Sequence, residues 1–465
     1  MIAHVSTRGG AGRRGFEEVL LAGLAEDGGL FLPEDWPRFP REALAALSGL
    51  SYPETATRLL RPFVEDCFDE AELAELCARA YAGFAHAATA PLVQIAPDDW
   101  LLELFHGPTL AFKDFALQLL GLMFERVLAR RGRSITIVGA TSGDTGSAAI
   151  HAVAGRANMR IVVLHPHERV SAVQRRQMTT VDADNVFNIA VRGTFDDCQA
   201  LVKAMFADTA FRREQDLAAV NSINWARILA QAVYYVHAAL RLGGLERPPV
   251  FAVPTGNFGD VYAGYVARRI GLPVRRLIVA TNRNDILARF FETGIYRLGE
   301  VVPTVTPSMD IQVASNFERL LFDLEDGDGA RVRRALENFT KTGELAVEPG
   351  RMARLGELFR AGRATEEETR AAIRRVFEES GQVIDPHTAV GVEVGRRLRR
   401  PGEGPLVCLA TAHPAKFPET VTEATGRRPT LPPHLADLVT REERFVVLDA
   451  DLAAVQEFVR RTGRA

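Results

Sequence analysis

Residues 134–153 read SITIVGATSGDTGSAAIHAV, and residues 250–270 read VFAVPTGNFGDVYAGYVARRI. Each starts as a short β-branched or apolar run, passes through a loop of small and polar residues, and continues into a helix-forming stretch. Strand, loop and helix in that order are the unit of a parallel sheet, because parallel neighbours need a crossover connection. Further runs at residues 160–164, 186–191, 277–280 and 406–410 predict more strands of the same kind. In such sheets ligands sit outside the carboxyl ends of the strands, where these loops lie. No strand is followed by GxGxxG, which argues against a dinucleotide-binding protein.

Working outward, residues 1 to about 95 mix helical patterns near 16–25, 41–47 and 69–84 with turns such as Asp27-Gly28-Gly29, the texture of an accessory domain. Residues 96–215 then read as a first α/β domain and residues 216–465 as a second. Between about 285 and 385 the strand rhythm stops and charged helices take over, including 330–336 and 365–378, as an insertion on the second domain. The expected fold is therefore α/β, with two doubly wound parallel-sheet domains and an N-terminal accessory domain. A chain of 465 residues has the length for several cores.

Hydrophobic content of 47% and charged content of 25% are those of globular proteins. With 56 basic against 59 acidic residues the net charge is −3, which leaves no global field for nucleic acid or anionic lipid, so any anion must be caught locally. Cys67, Cys77, Cys198 and Cys408 show no CxxC pairing, so neither zinc nor a disulfide framework is signalled, and a reducing cytoplasm is the expected location. The N-terminus lacks the apolar core of a secretion signal, and no run of about 20 apolar residues exists to span a membrane.

Lys113 stands at the start of a helical pattern running to about residue 128. A lone lysine there is usually solvated, but a cation is unfavourable at the positive end of a helix dipole, and Leu110, Phe112 and Phe115 would desolvate it. Both effects favour a neutral amine able to form a Schiff base. The loops Thr141–Gly146 and Pro254–Gly259 both precede helices, where backbone N–H groups can face an anion. No lysine follows the glycines, so neither is a P-loop. His106, His387 and His413 lack metal-ligand spacing and read as structural, so no metal is expected.

Taken together, HGPTLAFKDF (106–115), SGDTG (142–146), NSIN (221–224), PTGNFGD (254–260), DPHTAVG (385–391) and TAHPAKF (411–417) closely resemble the threonine synthases, fold-type-II pyridoxal-phosphate enzymes of the tryptophan synthase β-like kind. STRG (6–9) and GLAEDGGLFLP (23–33) resemble the family's N-terminal domain, in the longer form found in bacteria and fungi. The resemblance runs from about residue 5 to residue 418.

The resemblance implies pyridoxal 5'-phosphate as cofactor and O-phospho-L-homoserine as substrate, converted with water to L-threonine and phosphate by γ-elimination and β-addition. By that pattern Lys113 carries the cofactor and shuttles protons, and Gly256, Asn257, Phe258 and Gly259 bind the cofactor phosphate, with Asp260 closing the loop. Thr411 meets the pyridine nitrogen; Ser142, Gly143, Asp144 and Thr145 hold the substrate carboxylate. An Asp beside a carboxylate is electrostatically awkward, although Asp is usual in this family. Asn221, Ser222, Asn224 and Arg227 would grip the substrate phosphate at a helix start, with Asn282 and Arg283 as a second choice. The arginines of 396–400 read as a solvated helix end, and the family-like segments 308–311 and 316–319 have no role beyond a cleft-closing one. A cytoplasmic monomer or homodimer is expected, without nucleic acid or membrane partners. The alternatives are a phospholyase on the same scaffold releasing 2-oxobutyrate, and a non-enzymatic binding module, which would have lost its lysine or its loops.

Overall fold

A computed structural model of the protein describes residues 2–141, 143–218 and 222–463. They form two compact units, each assembled from two stretches of chain: Met1–His106 with Ser222–Pro429, and Gly107–Asn221 with Thr430–Ala465.

The larger unit is built on a six-stranded sheet. From one edge to the other its strands are Phe359–Arg363, Arg276–Thr281, Val250–Pro254, Leu406–Ala410, Asp99–Glu103 and Leu92–Ala96. All neighbours are parallel except the final pair, an antiparallel hairpin. Val250–Pro254 and Leu406–Ala410 are buried along their whole length, as central strands covered on both faces must be. Alternate residues serve the two faces. Ala252 and Ile278 join the core under the helix Pro386–Leu398, with Val390 and Val394. Phe251 packs edge-on against Tyr235 of the helix Trp225–Arg241, and Leu277 lies under Gly264 of the helix Gly259–Arg269.

The N-terminal segment packs on the helix Trp225–Arg241 within this unit. From the helix Tyr52–Val64, Phe63 meets Trp225 edge-on at 6.3 Å, and Tyr52 and Thr55 meet the buried His237. The accessory domain expected at 1–95 thus shares one compact body with the large sheet, to which Leu92–Ala96 also contributes an edge strand. The region 285–385, expected to hold no strands, supplies Phe359–Arg363 to the sheet and an antiparallel pair, Ile295–Arg297 with Glu344–Ala346. These segments escape recognition because edge strands are half-exposed and carry charges that alternate poorly with apolar residues. The arginines near residue 398 are also more engaged than expected: Arg396 and Arg399 pair with the buried Asp99 at 2.9 and 3.0 Å and fasten the start of its strand.

The smaller unit holds a wholly parallel five-stranded sheet in the order Val446–Asp449, Val186–Arg192, Met159–Pro166, Ile135–Ala140, Leu217–Ala218. The helices Lys113–Arg131 and Asp144–Val153 pack together. Val162, Leu164, Ile189 and Val191 are buried with Cys198 and Met205 of the helix Phe195–Ala207 and with Val455 and Val459 of the helix Leu452–Thr462. The last stretch of chain therefore completes this sheet, and the contiguous boundaries expected at 95/96 and 215/216 do not follow the packing. Among the described residues no helix is long and apolar enough to cross a membrane.

Candidate active site

In the smaller unit the turn before Lys113 is shaped by the residue after it. Asp114 accepts hydrogen bonds from the Thr109 backbone N–H (2.8 Å) and hydroxyl (2.7 Å), while Gln177 donates to the Thr109 carbonyl at 3.0 Å. Leu110 takes a left-handed conformation, φ 59°, inside this turn. Lys113 then opens its helix, buried, with Nζ 5.4 Å from the Phe112 ring centroid and 3.5 Å from Asp144 Oδ2. Desolvation and the helix dipole were the effects visible in the sequence. The structure adds an opposing one, because a carboxylate at this distance in a buried setting attracts an ammonium.

Asp144 is itself held, its Oδ1 accepting from Gln174 Nε2 at 2.8 Å. A Cβ on Gly143, whose φ is 148°, would lie 2.5 Å from the same Gln174 side chain, so only glycine fits. Thr141 organises the rest of the turn: its hydroxyl oxygen accepts from the N–H groups of Gly143 (3.0 Å) and Gly146 (2.9 Å). Thr145 is half-buried in the first turn of the helix, and Ser142 lies outside the described residues.

The larger unit carries the second loop at the carboxyl ends of its parallel strands. Thr255 is tied into the sheet by its N–H to Ala280 (2.8 Å) and its hydroxyl to Val253 (2.6 Å). Phe258 has φ 67°, a left-handed conformation held by its burial against Phe291, Phe317 and Phe359. The N–H of Gly259 donates to Asn257 Oδ1 at 3.2 Å. The N–H groups of Gly256, Asn257 and Phe258 make no hydrogen bond among the described residues, at the start of an eleven-residue helix. Free N–H groups at a helix start form an anion seat. A Cβ on Gly256 would come 2.6 Å from the Ser308 carbonyl oxygen. Ser308 is in turn placed by His387, whose Nε2 accepts from its N–H at 3.4 Å while Nδ1 is bonded to Asp385 at 2.8 Å.

Asp260 does not close this loop as expected. Its Oδ1 accepts from the hydroxyls of Tyr234 (2.5 Å) and Tyr235 (2.9 Å), which ties the helix Gly259–Arg269 to the helix Trp225–Arg241. Burial pushes its pKa up to about 7 against the opposing pull of the two tyrosines, and Oδ2 is buried without a partner. Thr411 follows Leu406–Ala410, is buried, and its hydroxyl makes no hydrogen bond among the described residues.

The residues expected to grip a second phosphate separate into two kinds. Asn224 is committed to the fold: Oδ1 caps the helix Trp225–Arg241 through the Ala226 N–H (3.0 Å), and Nδ2 donates to the Leu20 carbonyl (2.9 Å). Asn282 is likewise occupied, with Nδ2 bonded to Thr304, Thr306 and Asp310. Arg283 is exposed. Arg227 differs from all of these. It is 4% exposed, its Nη1 has no partner, and burial without a counter-ion lowers its pKa to about 10. A guanidinium left so is costly unless an anion arrives. Ser222 is half-buried one turn before it, and Asn221 lies outside the described residues.

Three family models match the chain: Threonine synthase N terminus over residues 3–81, Pyridoxal-phosphate dependent enzyme over 100–349, and Threonine synthase, C-terminal over 388–459. The chain is 55% identical over 461 residues to the threonine synthase of Pseudomonas aeruginosa, covering 99% of this chain and 98% of that one. Among solved structures, the pyridoxal-phosphate-bound threonine synthase from Brucella melitensis is 51% identical with a TM-score of 0.98, covering 100% of both chains. Threonine synthase from yeast is 38% identical with a TM-score of 0.95, covering 99% of both.

Proposed function

Because the chain belongs to the threonine synthase family of pyridoxal-phosphate-dependent lyases, we propose that it converts O-phospho-L-homoserine and water to L-threonine and phosphate, with Lys113 as its catalytic residue. The observation that carries the choice of a phosphorylated substrate is Arg227. An enzyme of this fold acting on an unphosphorylated amino acid needs one phosphate seat, for the cofactor. Here a buried guanidinium whose Nη1 has no partner lies at the start of the helix Trp225–Arg241, not on the Gly256–Gly259 loop.

The residues present fit the cofactor. Three unpaired N–H groups at 256–258 suit its phosphate, the free hydroxyl of Thr411 suits its pyridine nitrogen, and the buried amine of Lys113 suits covalent attachment. When bound, pyridoxal phosphate supplies an electron-withdrawing ring that accepts negative charge from the carbons of an attached amino acid. Thr411 offers a hydroxyl rather than a carboxylate, so it would not hold the ring nitrogen protonated and would moderate that withdrawal.

Lys113 Nζ takes protons from the α- and then the β-carbon of the substrate. Asp144, 3.5 Å away, steadies the nitrogen as an ammonium between transfers. Since both Asp144 oxygens face donors of their own, its share in holding the substrate carboxylate falls to its backbone N–H, beside Ser142, Gly143 and Thr145. Ser222 and Arg227, with Asn221, hold the phosphate as its bond to the γ-carbon breaks. The γ-carbon, having lost phosphate, receives a proton and becomes the methyl group; water adds its hydroxide at the β-carbon while its remaining proton leaves with the phosphate, and Lys113 returns a proton to the α-carbon. A formal net charge of −3 over the whole chain is consistent with a cytoplasmic enzyme, monomeric or homodimeric, that takes a small molecule and neither nucleic acid nor membrane.

The test is incubation of the purified holoenzyme with O-phosphohomoserine, assaying threonine, 2-oxobutyrate and phosphate together. Threonine and phosphate in equal amounts are expected. Phosphate accompanied mainly by 2-oxobutyrate would replace this reading with that of a phospholyase.

A further inference from the structure

The segment Asn316–Arg319 touches both phosphate seats of the larger unit. The Asn316 backbone N–H donates to the carbonyl of Asn257, inside the cofactor-phosphate loop, at 3.0 Å. Its side-chain Nδ2 donates to the carbonyl of Ser222 at 3.1 Å, and its Oδ1 accepts from Arg319 Nη1. Arg319 Nη2 then donates to the carbonyl of Ile223 at 2.7 Å, and Nε to the carbonyl of Phe31 at 3.0 Å. Both side chains are fully buried, and the guanidinium lies 5.8 Å from the Trp225 ring.

The turn 222–224 that presents Ser222 and leads into Arg227 therefore has two consecutive carbonyls held by one side-chain pair. That pair is anchored through the backbone to the loop 256–259. The donor side chains of these bonds are buried and have no water to fall back on, so a displacement at one end is passed to the other. We propose that Asn316 and Arg319 are positioning residues that couple the cofactor-phosphate seat to the substrate-phosphate seat, so that the turn bearing Ser222 and Arg227 is set for a phosphate ester only when the loop 256–259 is in place. This inference rests on the assignment of Ser222 and Arg227 to the substrate phosphate.

A purely structural role for the pair has a different signature. Glu318, between them, bonds Thr7 and Arg8, and Arg319 reaches Phe31, so loss of packing would loosen the N-terminal segment and lower stability without selecting one ligand. Side-chain replacements at Asn316 separate the two, because the backbone bond to Asn257 survives them.

Asn316→Asp keeps shape and the acceptor for Arg319 but turns a carboxylate oxygen toward the Ser222 carbonyl. In the holoenzyme, KM for O-phosphohomoserine should rise about 10-fold, the scale of one buried hydrogen bond lost. The inhibition constant for inorganic phosphate should rise by the same factor, with kcat within about 2-fold and cofactor content unchanged. Asn316→Ser, neutral and small enough to fold in the same space, should repeat the pattern. In an Arg227→Leu background the added Asn316→Asp step should change KM by less than about 3-fold, since the two act on one seat. Normal phosphate use by Arg227→Leu alone would sink the underlying assignment. An impaired Arg227→Leu with unaltered KM and phosphate inhibition in both Asn316 variants would overturn the coupling. So would a lowered melting temperature or loss of cofactor in those variants without a change in KM.

Discussion

The turn at 141–146 and the loop at 254–260 share one plan, a strand feeding a small-residue loop and a helix, yet they treat their backbone N–H groups in opposite ways. In the first, Gly143 and Gly146 donate inward to Thr141, and the product is a stiff turn that presents Asp144 to Lys113. In the second, Gly256, Asn257 and Phe258 leave their N–H groups unpaired at a helix start. The hydrogen bonds a loop has already made decide what it has left to offer: the first turn spends the N–H groups of Gly143 and Gly146 on its own threonine and holds Asp144 in place, while the second spends none at 256–258 and keeps all three for a phosphate.

The contrast is broken most severely at Lys113, the group that the first turn serves. Lys113→Ala should lower turnover by about 1,000-fold or more, and borohydride, which fixes cofactor on the parent chain, should label nothing at this position. Mass analysis of the reduced protein checks it.

Next come the two glycines. Gly256→Ala drives a methyl into the Ser308 carbonyl and should weaken cofactor binding by about 10–100-fold, read from absorbance after dialysis. Gly143→Ala forces a residue into a φ of 148° and displaces Gln174, so it should keep its cofactor and lose about 10-fold in kcat/KM. If both variants lose cofactor equally, the distinction between a positioning turn and an anion seat fails.

Arg227→Leu should lose about 10–100-fold in kcat/KM for O-phosphohomoserine while staying yellow, since one charge-assisted bond to phosphate is removed and the cofactor loop is untouched. Arg227→Lys should recover only part, because an ammonium lacks the planar fork that matches phosphate. Loss of cofactor from the Leu variant would instead place Arg227 in the first seat.

The smallest effect concerns Asp260, whose pKa in the folded protein is about 7 against an ordinary 3.8. The folded state binds the extra proton between those values, so the group's contribution is full below about pH 4 and declines as pH rises through 7. The melting temperature of the parent should accordingly fall by about 1–3 °C more than that of Asp260→Asn between pH 5 and 8. Parallel pH profiles for the two proteins would count against a buried, proton-holding Asp260.

Most of the fold was legible because its strands announce themselves locally: VFAVP and LVCLA are continuous apolar runs of the kind that only a doubly covered strand requires. FRAGR at 359–363 and VVLD at 446–449 were not, since an edge strand needs one neighbour and tolerates charge. At the site, Lys113 and both loops could be read, but Asp144 as partner of Lys113 could not, because 31 residues and a strand separate them. Asn224 and Arg227 looked alike as donors at a helix start. Only the three-dimensional structure reveals that one is fully bonded and the other buried with its Nη1 unpartnered. The segment 316–319 was recognisable as a pattern, but its bonds run to backbone carbonyls, which no residue identity can foretell.

The discontinuity of the two units bears on how the chain is born. Leu406–Ala410 sits between Val250–Pro254 and Asp99–Glu103, and Val446–Asp449 closes the other sheet beside Val186–Arg192. A nascent chain that has emerged as far as residue 400 therefore has neither sheet complete, although nearly all its apolar strands are already outside the ribosome. Folding one domain after another during synthesis, common for chains of this size, is closed to this protein. Its pairings span long stretches of sequence, so it must hold exposed strand edges until residues 406–410 and then 446–449 have emerged.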